Sequence, residues 1–257
     1  MAYVTSAGVS IQYEVEGDGP ALVLLHGLSD SLASGYEFGY VAALRDRYKL
    51  ILVDARGHGA SEKPTAHAAY ATDLFVADVV AVLDDLNARK AHFFGYSMGG
   101  WIAFAMAKYA LNRVSSLIIG GRHPYPGAGL GTDPYVTALK QGPQAIASLW
   151  DSPLSPSLQS RLLKNDAEAL LACRITRIAE PGFADILPTM TMPCLLFAGD
   201  KDPVYPEVTA CIEHMPNVRF FSIPGLGHCE TFFRSDLVLP HVTECLAAVE
   251  HGAAHQG

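Results

Sequence analysis

Gly95-Tyr96-Ser97-Met98-Gly99-Gly100 is the stretch whose reading decides the fold. It follows the apolar run His92-Phe93-Phe94 and precedes the helical run Trp101 to Ala110, so Ser97 falls between a strand and a helix. A residue at the apex of so sharp a turn adopts strained dihedrals. The residues two before and two after it must let backbone approach closely, and glycine, lacking Cβ, allows this. A serine placed there sits at a helix N-terminus, where amide N–H groups and the helix dipole favour developing negative charge. G-x-S-x-G alone is common in a chain with 23 glycines, and the strand–turn–helix context is what gives it weight.

On either side of that turn, short continuous apolar runs recur: Ala21 to Leu25, Lys49 to Val53, Ala91 to Phe94, Val114 to Ile119, Pro193 to Ala198 and Val218 to Ile223. Runs without alternation suit parallel strands buried on both faces. Helical periodicity lies between them. Thr72 to Asn87 puts Phe75, Val79, Val82, Leu83 and Leu86 on one stripe, with Thr72 as the expected cap. Met98 to Ala110, Glu207 to Met215 and Asp236 to Glu250 also read as helices, with a loose tail from His251 to Gly257. At the start, Tyr3 to Ser6 and Val9 to Val15 alternate around Ala7-Gly8, which reads as a hairpin of edge antiparallel strands. Strand–helix alternation means an α/β fold with a mostly parallel sheet. From Arg122 to about Met190 the rhythm breaks. Amphipathic patches at Val136 to Trp150 and Leu158 to Ala179, with Pro, Gly and Ser crowding Pro124 to Gly131 and Ser152 to Pro156, read as an inserted helical cap with mobile joints.

The 257 residues are half apolar and 17% charged, which excludes a disordered chain. The net charge of -8 and the lack of a basic run argue against nucleic acid as partner. No apolar stretch approaches the ~20 residues of a membrane span. Ala21 to Leu25 is too short, and Asp78 interrupts the run from Phe75 to Leu83. Met1 to Pro20 has neither the basic nor the apolar region of a signal peptide. Five scattered cysteines without C-x-x-C fit buried thiols in a reducing cytoplasm. The expectation is a cytoplasmic protein with no membrane partner.

A serine hydroxyl is a poor nucleophile at neutral pH and needs a general base. Of ten histidines, His228 is the best placed. Gly225-Leu226-Gly227-His228 forms a Gly-rich loop after the last apolar strand, at the carboxyl edge shared with the Ser97 turn. His92, His214, His241, His251 and His255 have ordinary structural readings, while His67 and His123 lie in loops and stay open. The base needs an acid to hold its tautomer. Gly199-Asp200-Lys201-Asp202 ends another strand at that edge and offers two carboxylates, which local reading does not separate. An oxyanion hole is the third element. The loop after Leu24-Leu25-His26-Gly27-Leu28 can offer the Leu28 N–H beside that of Met98, and His26 shapes this loop. Cys229 adjoins His228 but has no elbow around it, and adjacent side chains rarely face one another, so a thiol nucleophile is set aside.

With these elements in place the chain resembles the α/β-hydrolase superfamily. The resemblance rests on Ser97, Asp202 and His228, met in the chain order Ser, Asp, His, and on His26-Gly27. Asp54-Ala55-Arg56-Gly57-His58-Gly59-Ala60-Ser61 is also similar to the family's loop after the next strand. Almost everything outside residues 122–190 is covered. The resemblance implies an α/β-hydrolase fold, a mostly parallel eight-stranded sheet flanked by helices, with a helical cap inserted after the sixth strand. The core would be 1–121 and 191–257 and the cap 122–190. The family's G-x-x-D turn selects Asp202 as the acid.

That family's members with aspartate at the elbow open epoxides or remove halide; Ser97 implies acyl transfer to water instead. The expected activity is that of a carboxylesterase-like serine hydrolase, cleaving a short- to medium-chain ester or lactone through an acyl-enzyme, with no metal or organic cofactor. Tyr96, Trp101, Trp150 and Val204 are candidates for an apolar substrate wall, and Arg122, His123 and Tyr125 for the entrance. The same triad would serve a carbon–carbon bond hydrolase of ring-cleavage products or an acyl-homoserine-type lactonase. A substrate carboxylate would need an anchor; Arg122 is a candidate, and no arginine cluster stands out along the chain. A hydrolase-fold receptor for a small ligand is the alternative of a different class, and very slow single-turnover acylation would be its sign.

Overall fold

The six continuous apolar runs and the hairpin become one eight-stranded sheet. The computed structural model describes residues 1–127, 133–150 and 153–254. The strands are β1 (Ala2–Ser6), β2 (Val9–Glu16), β3 (Ala21–Leu25), β4 (Lys49–Val53), β5 (Ala91–Tyr96), β6 (Val114–Gly120), β7 (Cys194–Gly199) and β8 (Val218–Ile223). They lie in the order β1-β2-β4-β3-β5-β6-β7-β8. The β1–β2 and β2–β4 pairings are antiparallel and all others parallel, as the sequence led us to expect. Ala7 and Gly8 both have positive φ, +47° and +78°, the turn geometry that matches the twist of a two-residue hairpin.

The helices are α1 (Ala33–Glu37), α2 (Tyr40–Leu44), α3 (Thr72–Asp85), α4 (Met98–Tyr109), α5 (Pro134–Gln141), α6 (Pro143–Ala147), α7 (Pro156–Leu163), α8 (Ala167–Ala179), α9 (Tyr205–Ile212), α10 (His228–Phe233) and α11 (Ser235–Ala254). Successive strand residues point to opposite faces, so each apolar run feeds two cores. Val23, Leu25, Ile51 and Val53 pack with Phe75, Val79, Trp101 and Phe104 of α3 and α4. Leu22, Leu24, Leu50 and Leu52 pack with Tyr40, Leu44, Val238 and Val242 of α2 and α11. Both faces are covered, and that is why these strands show no alternation. The edge strand β8 is the exception: five of its six positions are half-buried or exposed, contrary to the expectation of full burial.

Several local expectations are corrected. Thr72 does not cap α3; Ala71 holds that position, and the Thr72 hydroxyl instead accepts from Trp101 Nε1 and meets Glu180. The patch from Val136 to Trp150 is two helices split at Gly142 (φ +106°), and Leu158 to Ala179 is α7 and α8. The side chains of Asp133, Ser155 and Asp166 cap α5, α7 and α8 by accepting first-turn N–H groups. The C-terminal helix runs on to Ala254, past the expected start of the loose tail. The joints expected at 124–131 and 152–156 lie partly, and His255 wholly, outside the described residues.

The loop after β4 is fastened from inside. Arg56 donates to both carboxylate oxygens of Asp78 on α3, at 2.7 and 2.6 Å, and to Ala69 O at 2.6 Å. Asp78, which interrupts an apolar run in the sequence, is thus the buried partner of Arg56. All five cysteines are buried and none is joined to another. Among the described residues no helix is long and apolar enough to cross a membrane.

Candidate active site

Parallel strands bring their carboxyl ends to one edge of the sheet, and the loops after β3, β5, β6, β7 and β8 meet there. Ser97 joins β5 to α4 with φ +53° and ψ -109°, a region a side-chain-bearing residue rarely occupies. The flanking glycines show why the turn has its sequence. A Cβ on Gly95 would lie 2.2 Å from Gly99 O, and one on Gly99 would lie 2.0 Å from Leu25 O. Neither position has room for a methyl group.

His228 opens α10 rather than sitting in the expected loop. Its Nε2 is 2.9 Å from Ser97 Oγ, and its Nδ1 is 2.7 Å from Asp202 Oδ2. An ionised carboxylate only accepts hydrogen bonds, so Nδ1 carries the hydrogen and Nε2 presents its lone pair to the serine. Asp202 is buried and also accepts the Val204 N–H at 3.0 Å, which fixes the carboxylate in place. Asp200 points elsewhere: it accepts the Gly225 N–H at 2.8 Å. Of the two carboxylates, Asp202 is the one that contacts the imidazole. The Tyr96 phenol donates to His228 O at 2.6 Å, and burial, then the neighbouring Asp202, push this phenol well above its ordinary range.

The loop after β3 lies against the serine: a Cβ on Gly27 would be 3.6 Å from Ser97 Cβ. Leu28 lines the same cavity as Ser97, and Met98 begins α4 directly after it. His26 accepts the Ala55 N–H at Nε2 (3.1 Å), so its Nδ1 is the donor to Gly27 O (2.8 Å). Both ring nitrogens are engaged by backbone, which accords with a role in shaping the loop.

Beside Ser97 and His228 is a cavity of about 360 Å³. Of the sequence-derived wall candidates, Tyr96, Trp150 and Val204 line it, as does Arg122. His123 and Tyr125 are not on its wall. His123 is buried, accepts the Tyr125 N–H at 3.2 Å and stacks on the Tyr125 ring. Burial, then Arg122, push its imidazole down to about 4. Trp101 is likewise off the wall, packed in the core against Phe183. Phe232 and Phe233 of the unforeseen α10 do line it, and Trp150 stacks on Phe233.

The segment between β6 and β7 supplies Tyr135 of α5, Leu149 and Trp150 after α6, and Arg174 of α8 to the wall. It is tied to the sheet's loops by polar contacts: Arg161 to Asp30 at 3.2 Å, Asn165 to Ser29 O at 2.6 Å, Thr176 to His67 O at 3.0 Å and Glu180 to the Thr72 N–H at 2.9 Å. The structure also gathers arginines the linear sequence keeps apart. Arg122, after β6, feels the charges of Arg174 and Arg177 on α8. No periodicity links positions so far apart in the chain, so only their tertiary meeting reveals the group.

Comparison with known proteins bears on the family and the fold. Residues 22–239 match the model of the alpha/beta hydrolase family. The chain is 30% identical over 216 residues to 3-oxoadipate enol-lactonase 2 of Acinetobacter baylyi, covering 78% of this chain and 79% of that protein. Among solved structures, the enol-lactonase of Burkholderia xenovorans LB400 superposes with a TM-score of 0.83 at 20% identity, covering 96% of this chain and all (100%) of that one. The esterase RhEst1 of Rhodococcus sp. ECU1013 superposes with a TM-score of 0.82 at 23% identity, covering 96% and 98%. At those identities the structural likeness speaks for the fold.

Proposed function

Because the chain belongs to the alpha/beta hydrolase family, we propose that it is a serine hydrolase cleaving a small carboxylic ester or lactone through an acyl-enzyme. The observation that carries this reading is the unbroken series Ser97 Oγ, His228 Nε2, His228 Nδ1 and Asp202 Oδ2, with contacts of 2.9 and 2.7 Å. In the first step Ser97 Oγ bonds to the substrate carbonyl carbon while His228 Nε2 takes the hydroxyl proton. The carbonyl oxygen becomes an oxyanion, held by the N–H groups of Leu28 and Met98; such donors are worth a factor of about 10² to 10³ each in turnover. His228 returns the proton to the leaving oxygen as the ester bond breaks. Water then repeats the sequence on the acyl-serine, giving the acid and restoring Ser97. Asp202 keeps the imidazole in the required tautomer and stabilises its protonated form.

The helices between β6 and β7 act as a cap over this chemistry, residues 122–190 in the division read from sequence. A cavity of about 360 Å³, small for a ligand site, supports a short-chain substrate. The lactone chemistry named for the Acinetobacter relative supports including cyclic esters. The test is a panel of nitrophenyl acetate, butyrate and decanoate, with a fluorophosphonate probe mapped by mass spectrometry. Turnover of the short esters and a probe adduct on Ser97 are expected. A preference for decanoate would overturn the substrate size, and an adduct on another residue would overturn the site.

A further inference from the structure

The loop after β3 is held from two sides, and one of them is the cap. Gly27 O accepts from His26 Nδ1 at 2.8 Å and from the Asp30 N–H at 3.3 Å. A trans peptide is planar, with its C=O and N–H pointing in opposite directions. Gripping Gly27 O therefore aims the N–H of the same peptide, that of Leu28, the other way. This N–H donates to no group among the described residues, and Leu28 lines the cavity beside Ser97. The next peptide but one repeats the arrangement. Ser29 O accepts from Asn165 Nδ2 at 2.6 Å. The N–H of that peptide belongs to Asp30, and it is the one that closes the turn on Gly27 O. Ser29 has φ +65°, as a type II turn demands of its third residue. A side-chain-bearing residue stays in that region when its surroundings hold it there.

The whole length of α7 is fastened along this loop. At its start the Ser155 hydroxyl donates to Glu37. In its last turn Arg161 Nε donates to Asp30 Oδ1 at 3.2 Å, and Arg161 Nη1 reaches Glu37. Just past its end, half-buried Asn165 takes Ser29 O. Asp30 is buried, and Oδ1 also accepts the Ser31 N–H at 2.8 Å, so the carboxylate clamps its own turn as well as the cap. Arg161 and Asn165 thus fall on Asp30 and Ser29, the two residues that follow Leu28. Other ties between cap and core land away from the loop, such as Thr176 on His67 O at 3.0 Å.

We propose that Asn165, assisted by Arg161, is a positioning residue for the oxyanion hole: through Ser29 O and the Asp30 N–H it sets the direction of the Leu28 N–H, so that the cap completes the catalytic site as well as covering it. The proposal rests on the serine-hydrolase reading, in which the Leu28 N–H meets the oxyanion. Asn165 acts through two peptide planes and not by touching the substrate. A hydrogen bond weakens steeply as its angle bends. A donor worth a factor of about 10² to 10³ when aligned therefore loses part of that factor when its peptide is free to turn.

The test uses Asn165→Ala and Asn165→Asp, the latter at about pH 8, where the ionised side chain keeps the shape of asparagine and has no proton to donate. Thr176→Ala is the control, since it severs a cap contact away from the loop. Each is assayed on 4-nitrophenyl butyrate and inhibited with butylboronic acid or with 4-nitrophenyl butyl ether. With the boronic acid, Ser97 Oγ bonds to boron, His228 takes the hydroxyl proton, and the tetrahedral anion puts an oxygen where the oxyanion forms. The ether has the substrate's shape without a carbonyl. Both Asn165 variants should lower kcat and weaken boronate inhibition by about 10-fold, with KM and ether inhibition within about 2-fold of the parent. Thr176→Ala should leave all four within about 2-fold. If one Asn165 variant fails to fold, the other decides; if both fail, Asn165 serves folding and the proposal is overturned. It is also overturned by Ser97-dependent turnover that both variants leave unchanged, by equal weakening of boronate and ether, or by equal damage from Thr176→Ala. A parent protein that shows neither Ser97-dependent turnover nor boronate binding is a different result: the hydrolase reading fails and takes this proposal with it.

Discussion

The phenol of Tyr96 donates a hydrogen bond to the backbone carbonyl of His228 at 2.6 Å, tying the turn that carries Ser97 to the first residue of α10. The residue before the proposed nucleophile thus fixes the height of the proposed base. Tyr96 lines the cavity too, but its buried hydroxyl is committed to this bond. Tyr96→Phe should remove about 1 kcal/mol of stability. It should lower kcat by about 3- to 10-fold with little change in KM, because the loss is in transition-state alignment. An unchanged kcat would show that α10 holds its place without the phenol.

Asp202 and Asp200 differ only by two positions in sequence, but one touches the imidazole and the other a backbone N–H. Asp202→Asn should lower kcat by about 10⁴, as loss of the tautomer-setting acid does elsewhere. Asp200→Asn, which can still accept from Gly225, should change it by less than about 3-fold. Equal effects would mean that the acid is misassigned.

The strands and the Ser97 turn were legible because their signals are local. Ala21 to Leu25 and Lys49 to Val53 match β3 and β4 residue for residue, since burial on both faces demands an uninterrupted apolar run. Gly95 and Gly99 stand where any side chain would strike backbone. What the sequence hid is tertiary or brief. Six residues of α10 are too few to show a period, although Glu230, which accepts the Gly227 N–H, is half of a capping box that could have marked its start. Thr72 reads as a cap by type, yet its hydroxyl is drawn to Trp101 and Glu180. His123 and Tyr125 were placed at the entrance from their position after β6, but they stack on each other away from the cavity wall. The Arg122 group depends on the chain just after β6 lying close enough to α8 for Arg122 to feel Arg174 and Arg177, which no local pattern encodes.

The buried pair Arg56–Asp78, with side chains 1% and 3% exposed, makes a stability prediction. Asp78→Ala leaves the guanidinium buried and uncompensated and should cost about 3–5 kcal/mol. Replacing both, as Arg56→Met with Asp78→Leu, should recover most of that loss. Urea unfolding reads both. A double variant as unstable as Asp78→Ala would show that Arg56 matters chiefly through its other bonds, to Ala69 O and Leu74 O.

His58 makes a pH prediction. It is fully buried, its Nε2 has no partner, and burial, then His26, push its imidazole from 6.5 down to about 3. Below pH 6.5 the unfolded chain binds a proton there that the folded chain refuses. Stability is therefore complete above about 6.5 and declines as the pH falls toward 3, by up to about 1.4 kcal/mol per pH unit from this group. His58→Gln should flatten the slope of unfolding free energy between about pH 6 and 4 relative to the parent protein, whatever its own stability. Parallel slopes would show that His58 is protonated in the folded state.

The most direct test of the central claim is ester turnover by Ser97→Ala beside the unaltered protein, with near-ultraviolet circular dichroism showing that both are folded. If Ser97 is the nucleophile, kcat on nitrophenyl butyrate falls by up to about 10⁶. If the folded variant turns over the ester at the rate of its parent, the chemistry happens elsewhere, and the account given for Ser97, His228 and Asp202 is wrong.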